Sequence, residues 1–443
     1  MLLNPIIHLK TIFRALNYRN FRLFFVGQSI SLIGTWMQRI ALAWLVYAMT
    51  KSAFLLGLVS FSGQIPALVL APMAGVLSDR VDRYRLLIIT QSLSMLQAVV
   101  LTVLVLSGAI QVWQIIALSV VLGVLNSFDM PNRQAFMVQM IDDKRDLGNA
   151  IALNSSMVNG ARLIGPSVAG LLIAAVGEGV CFLINALTYL AVIVSLLLMR
   201  ISKTEIKRAT SKRWHQLKEG VQFASGFEPI RAILLMLALM SMMGMPYAML
   251  MPVFAKDILH GGPDTLGFLM GASGIGALSG AIYLAARKSV LGLGKLIPMA
   301  ASTFGLALIA FSFSRHLGLS LFLMLFAGAG MMIQLASSNT LLQTMVPDDK
   351  RGRVMSLYTM SFMGMMPVGS LIGGTVANHI GAPWTVFGGG TACILGAVLF
   401  ARRLPALREK ARPVYAGLGI IPEVAVGIES AAESSIPGKF TEM

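Results

Sequence analysis

Apolar runs of about twenty residues recur twelve times along this 443-residue chain, each long enough to cross a hydrocarbon layer of roughly 30 Å as a helix. In lipid no water satisfies backbone amides, so only helices or closed barrels span it. A barrel would show short alternating segments instead of continuous runs. The expected fold class is an all-α polytopic membrane protein, with twelve transmembrane helices in two six-helix bundles. Only 12% of residues are charged and 56% are hydrophobic, with mean hydropathy +0.77; a soluble chain would carry about twice that charge fraction.

The runs divide the chain into an N-terminal bundle (1–199), a polar linker (200–228), a C-terminal bundle (229–403) and a tail (404–443). The linker holds Lys203, Lys207, Arg208, Lys212, Arg213 and Lys218, and reads as partly an amphipathic helix around Trp214–Phe223. The tail loses the apolar pattern and scatters Glu423, Glu429 and Glu433 among small residues, so disorder is expected from about Leu404. The fourth span reads as Trp113–Ser127, with room to be longer, the seventh as Ile230–Phe254 and the eleventh as Val354–Asn378. The first run, from near Phe21, is too long for a cleavable leader and is expected to remain as a span.

The net charge of +16 is distributed by loop. One set of alternate loops carries Lys10, Arg14, Arg19 and Arg22, then Arg80, Arg83 and Arg85, then Lys144 and Arg145, then the linker. It continues with Arg287 and Lys288, then Lys350, Arg351 and Arg353, and ends on Arg402, Arg403, Arg408, Lys410 and Arg412. The opposite loops hold few basic residues: Lys51, Lys256 and Arg315. This bias places both termini in the cytoplasm and assigns the basic residues to orientation and lipid headgroups rather than nucleic acid. Cys181 and Cys393 lie far apart in apolar runs, and the five histidines show no ligand spacing, so neither disulfide nor metal is expected. No glycine-rich phosphate loop and no catalytic constellation at membrane depth is present; no cofactor and no enzymatic activity are expected.

The halves repeat. Asp142-Asp143-Lys144-Arg145 precedes span five and Asp348-Asp349-Lys350-Arg351 precedes span eleven. Gly160, Gly165 and Gly170 then align with Gly364, Gly369 and Gly374 after a two-residue gap. A parallel repeat of six helices is a transporter architecture with substrate near the midplane between the halves.

Between spans two and three lies Gly75-Val-Leu-Ser-Asp79-Arg80-Val-Asp82-Arg83-Tyr-Arg85, suited to a tight turn with charges pairing across helix ends. Gly75, Leu77, Asp79, Arg80 and Arg83 resemble the loop signature of the major facilitator superfamily; Asp82 stands where that family usually has glycine. Gly34-Thr-Trp-Met-Gln38, Asn126-Ser-Phe-Asp129-Met-Pro131-Asn-Arg133, and Ala161-Arg162-Leu-Ile-Gly165-Pro166-Ser-Val-Ala-Gly170 resemble a bacterial exporter branch, over roughly residues 15–400. The resemblance implies a monomeric secondary exporter of small molecules, of siderophore or drug type, driven by proton entry through rocker-switch alternating access. It implies that Gly75, Asp79, Arg80 and Arg83 form a latch between the halves on the cytoplasmic side. It also makes Gly165, Pro166 and Gly170 an antiporter-type motif, in which glycines allow close helix approach and proline permits a kink. The fourth span departs from many proton antiporters in lacking an arginine before Pro131.

Ionisable groups at membrane depth usually face a cavity or a partner. Arg39 lies about 25 Å of helix beyond Arg22, and Arg162 lies near the middle of span five. Both are candidates to line a cavity favouring anionic substrates, or else to be satisfied structurally. Gln28, Ser31, Thr35 and Gln38 form a polar stripe leading to Arg39, expected to face the pathway together with Ser155, Asn159 and Arg162. Asp129 and Arg133 can pair at i,i+4, and Asp129 serves either as a cytoplasmic gate residue or as the carboxylate that titrates. Methionines crowd spans seven and eleven, as adaptable lining or as apolar filler. The competing functions are a lipid or lysolipid carrier of the same fold and a non-transporting receptor.

Overall fold

The computed structural model of the chain describes residues 13–200, 213–287 and 289–418. Lys10, Lys203, Lys207, Arg208, Lys212, Lys288 and the tail beyond Leu418 lie outside the described residues. Among the described residues, twelve helices are long and apolar enough to cross a membrane. In the first half they are α1 (Arg19–Thr50), α2 (Ala53–Arg80), α3 (Arg83–Leu106), α4 (Val112–Gln139), α5 (Leu147–Val176) and α6 (Glu178–Leu197). In the second they are α7 (Glu228–Ile258), α8 (Pro263–Ala285), α9 (Leu293–Phe313), α10 (Leu317–Met345), α11 (Asp348–Ile380) and α12 (Ala382–Gly417). The end of the bundle that carries Arg19 and Gly417 is rich in Lys and Arg and is here called the basic end; the opposite end is the far end. Outer faces expose leucines such as Leu235, Leu395 and Leu399, as contact with lipid requires.

The repeat is built into the packing. In the first half α1 packs on α5 and α6, α2 on α4, and α3 on α4 and α6. In the second, α7 packs on α11 and α12, α8 on α10, and α9 on α10 and α12. Each pair maps onto its counterpart by a shift of six helices. The helix ends repeat too: Gly177 after α5 and Gly381 after α11 have φ of 83° and 87°. That left-handed conformation is open to glycine and disfavoured for residues with a Cβ, so both chains turn alike into the next helix.

The acidic–basic tetrapeptides are used differently in the two halves. Asp143 caps a short 3-10 turn by accepting from the Arg145 amide at 2.9 Å and pairs with its guanidinium at 2.7 Å. These bonds to Arg145 hold the Asp143 carboxyl below its ordinary value. In the second half α11 begins directly at Asp348, which pairs with Arg351 one turn on, at 2.6 Å.

Three features differ from the sequence reading. The fourth span is longer, running through Pro131 to Gln139. The helix α12 continues to Gly417, so disorder does not begin at Leu404; Leu407 and Ala411 are buried, with Leu404 and Tyr415 partly so. Finally, α7 contains π-helical turns at Met240–Gly244 and Phe254–Ile258 and α11 one at Met360–Gly364, of which Met240–Gly244 and Met360–Gly364 have the related sequences Met-Ser-Met-Met-Gly and Met-Ser-Phe-Met-Gly. The two turns meet: Ser241 Oγ donates to the Phe362 carbonyl, and a Cβ on Gly369 would collide with the Met242 carbonyl. In the linker, a helix Arg213–Gly226 docks on the start of α11, where Glu219 pairs with Arg353 at 2.7 Å and Lys350 lies 4.6 Å from the Phe223 ring.

Candidate functional site

The halves meet mainly at the far end. The packing that joins them is α2 on α11 and α5 on α8, again an equivalent pair under the repeat, with α7 touching α1 and α2. Among the described residues no comparable packing joins the basic-end turns of α4 and α5 to those of α10 and α11. The close contacts are glycine on glycine. A Cβ built on Gly170 would lie 2.6 Å from Gly267 Cα, and one on Gly374 would lie 2.9 Å from Gly57 Cα. Normal carbon contacts are roughly 3.5–4.0 Å, so these helices could not approach so closely with any larger residue. Polar bonds cross the same seam. Tyr47 Oη donates to Asp257, Lys51 Nζ lies 3.4 Å from the same carboxylate, and Ser60 and Ser370 hydroxyls are 3.3 Å apart.

Toward the middle, α1 and α5 bring two arginines to one indole. Gly165 packs against α1, where a Cβ would stand 2.5 Å from Trp36 Cβ. Arg162 is one turn before Gly165, on the same helix face, and its Cζ lies 5.6 Å from the Trp36 ring centre. The Arg39 Cζ lies 4.8 Å from the same ring. Arg39 is exposed and Arg162 half-buried, although both sit well inside their helices. Tyr247 of α7 lies within electrostatic reach of Arg162 and bonds the Ser273 hydroxyl at 3.1 Å. Among the described residues neither arginine has an acidic partner. Asn159, one turn before Arg162, donates to the Ser155 carbonyl at 2.9 Å.

The polar stripe on α1 does not face that space. Gln28, Ser31 and Gln38 are buried within the first half. Gln38 Nε2 donates to Gln97 of α3 at 3.2 Å, and Asn185 of α6 donates to Gln38 Oε1 at 2.6 Å. Thr35 donates to the Ser31 carbonyl at 2.9 Å and faces Tyr189 of α6. The expectation that Gln28, Thr35 and Gln38 line the cavity is therefore corrected. In an apolar medium, polar side chains satisfy one another across helices, and here that pairing ties α1 to α3 and α6.

Nearer the basic end, Asp129 of α4 is 5% exposed. Its Oδ1 accepts from Gln91 Nε2 at 2.7 Å and Thr90 Oγ1 at 2.9 Å, both on α3. Arg133 Nε lies 3.7 Å from Oδ2. Asn132, fully buried, donates to the carbonyl of Arg83 at 2.8 Å. Gly75, Asp79 and Arg80 fall in the last turns of α2, but their side chains lie outside the described residues. Arg83 is the first residue of α3. Asp82, the departure from the glycine usual in this loop, caps that helix by accepting from the Tyr84 amide at 2.9 Å.

Several residues of this constellation escaped the sequence reading. Trp36 stands in the Gly34–Gln38 stretch, where sequence alone gives it no role beyond an apolar residue. Thr90 and Gln91 are adjacent polar residues inside an apolar run, a signal that was available. Tyr47 and Asp257 come together from the ends of α1 and α7, which no local pattern reveals. Among the described residues, no group of His, Cys, Asp or Glu could hold a metal ion.

Comparison with known proteins agrees with this architecture. The chain is 29% identical to the staphyloferrin A transporter of Staphylococcus aureus over 385 residues, covering 86% of this chain and 96% of that protein. It is 24% identical to macrolide efflux protein A of Streptococcus pyogenes over 395 residues (86% and 96%), and 25% identical to the multidrug efflux pump Tap of Mycolicibacterium fortuitum over 378 (84% and 92%). Among solved structures it is similar to a bacterial homologue of the iron transporter ferroportin, with TM-score 0.66 and 17% identity over 87% of this chain and 98% of that one. A family model described as transmembrane secretion effector matches residues 10–421. The chain belongs to that family, within the major facilitator superfamily of transporters.

Proposed function

We propose that this protein is a proton-coupled exporter of small anionic solutes at a bacterial inner membrane. In this reading both termini are cytoplasmic, by the bias of Lys and Arg to the basic end. The moving bodies are the two six-helix halves, 1–199 and 229–403, joined by the linker. They rock about the site between them, so that the cavity opens to the cytoplasm and then to the far side. In this reading the basic end is open to the cytoplasm and the far end is closed by its glycine seam.

One observation carries the substrate assignment: Arg39 and Arg162 both lean on Trp36, with no acidic partner for either among the described residues; in this reading they face the space between the halves. Two like charges on one ring repel each other. An anion bound between them relieves that repulsion, and a planar fork of donors suits carboxylates, phosphates and catecholates. The likeness to the staphyloferrin A transporter supports a small-molecule cargo, and the efflux relatives support export. Asp129 is the coupling carboxylate in this scheme. It is held by neutral donors on α3 and stands beside Arg133, so protonation weakens the α3–α4 tie that its charge sustains.

The test is uptake into inverted vesicles of an anionic chelator and a cationic dye, with Arg39→Gln and Arg162→Gln beside wild type. The expected result is loss of chelator transport by tenfold or more in each variant. Equal chelator transport in wild type and both variants would remove the positive-cavity reading.

A further inference from the structure

A cavity lies at the basic end of the C-terminal half, lined by residues of that half alone. Its volume is about 530 Å³, within the roughly 300–1,000 Å³ usual for ligand sites. Its wall is apolar, with Ile233 of α7, Leu341 of α10, and Phe400 and Leu404 of α12. Its rim is basic: Lys295 at the start of α9, and Arg408 and Arg412 on the extension of α12, against one acid, Glu409. Among the described residues Lys295 and Arg408 have no ion pair. The extension forms the lid, because Leu407 and Ala411 turn inward and carry the adjacent basic residues to the rim.

An apolar chamber with a cationic rim where a span leaves the membrane matches one kind of molecule. We propose that this cavity binds an anionic phospholipid from the adjacent leaflet. The phosphate sits between Lys295 and Arg408 and an acyl chain runs along Ile233, Leu341 and Phe400. The neutral headgroups of the same bilayer lack the net negative charge that the rim complements. Bound there, the lipid bridges α7, α9, α10 and the α12 extension, and so holds the extension against the bundle.

The experiment uses the full-length chain in detergent, titrated with phosphatidylglycerol or phosphatidylcholine and read by native mass spectrometry. Wild type should retain phosphatidylglycerol in preference. Lys295→Gln with Arg408→Gln should weaken that binding about thirtyfold, at about fivefold per basic residue, and leave phosphatidylcholine unchanged. Arg402→Gln with Arg403→Gln removes the same charge from α12 outside the cavity and should leave the preference intact. Equal retention of the two lipids by wild type would overturn the proposal, as would equal loss in the two double variants. Competition by glycerol phosphate as strong as by the lipid would assign the rim to a free phosphate instead and overturn it. Phosphatidylglycerol binding that appears only after residues 419–443 are removed would assign the cavity to the chain's own tail, and would overturn it equally.

Discussion

The glycine seam makes a quantitative prediction about which end of the carrier is open. In Gly170→Ala the new Cβ would stand 2.6 Å from both Gly267 Cα and the Pro263 carbonyl oxygen. Reaching normal contact requires α5 and α8 to part by about 1 Å. Overpacking of this kind costs about 1–3 kcal/mol. The strain exists only where the helices touch, in the far-end-closed state. Alanine also favours helix over glycine by about 1 kcal/mol, but that gain is the same in both states and cancels. The open:closed ratio at the far end should therefore rise by about five- to one-hundred-fold, at 1.4 kcal/mol per tenfold. Spin labels at Gln111→Cys and His316→Cys, the residues immediately before α4 and α10 at the far end of the two halves, report the separation by pulsed electron resonance. Gly374→Ala, which meets the Gly57 Cα at 2.9 Å, should act alike. Gly160→Ala meets nothing within 4 Å and should leave the distances unchanged. Unchanged distances in a folded Gly170→Ala protein, or a shift as large in Gly160→Ala, would refute the reasoning.

Other substitutions separate the parts of the mechanism. Asp129→Asn removes the charge that Thr90 and Gln91 bond, worth about 1.5–3 kcal/mol per charged hydrogen bond. It should reduce gradient-driven transport at least tenfold while solute exchange at equal concentrations continues; the two fluxes are measured on the same vesicles. At the far end, Tyr47→Phe deletes a hydroxyl–carboxylate bond across the halves and should raise the open fraction several-fold by the same spin-label distances. Lys51→Gln breaks an exposed pair worth about 0–1 kcal/mol and should change that fraction little, so an equal effect of the two would locate the clasp in charge alone. In ligand titrations, Arg39→Gln should weaken binding of an anionic chelator and leave a cationic dye unaffected.

The spans, the repeat and the acidic–basic tetrapeptides were legible because each is a local property: apolar length, or identity at a fixed offset. Facing was harder to read. The α1 stripe announces that Gln28, Ser31 and Gln38 avoid lipid, but a polar face can turn to a cavity or to neighbouring helices with equal chemical sense. Only the positions of Gln97 and Asn185 decide for the neighbours. The Arg39 and Arg162 positions were visible as rare charges at depth; the indole that joins them was not, because Trp36 reads as ordinary apolar sequence. Asp82 looked like a lost glycine and is a helix cap, a role that its place before an apolar run encodes. The extension of α12 was also encoded. Leu404, Leu407, Ala411 and Tyr415 recur at helical spacing, but the surrounding charges hid the pattern. The Tyr47–Asp257 clasp joins residues 210 apart in sequence, and no periodicity foretells it.

The central claim is that a gradient across the membrane drives solute out through the space between the halves. Its most direct measurement is accumulation of an anionic chelator in inverted vesicles with an imposed proton gradient, repeated after a protonophore collapses the gradient. Accumulation above the external concentration is expected only while the gradient stands, and at least tenfold less in Asp129→Asn. Accumulation unchanged by the protonophore, or flux that only equilibrates the chelator with the gradient intact, would contradict it.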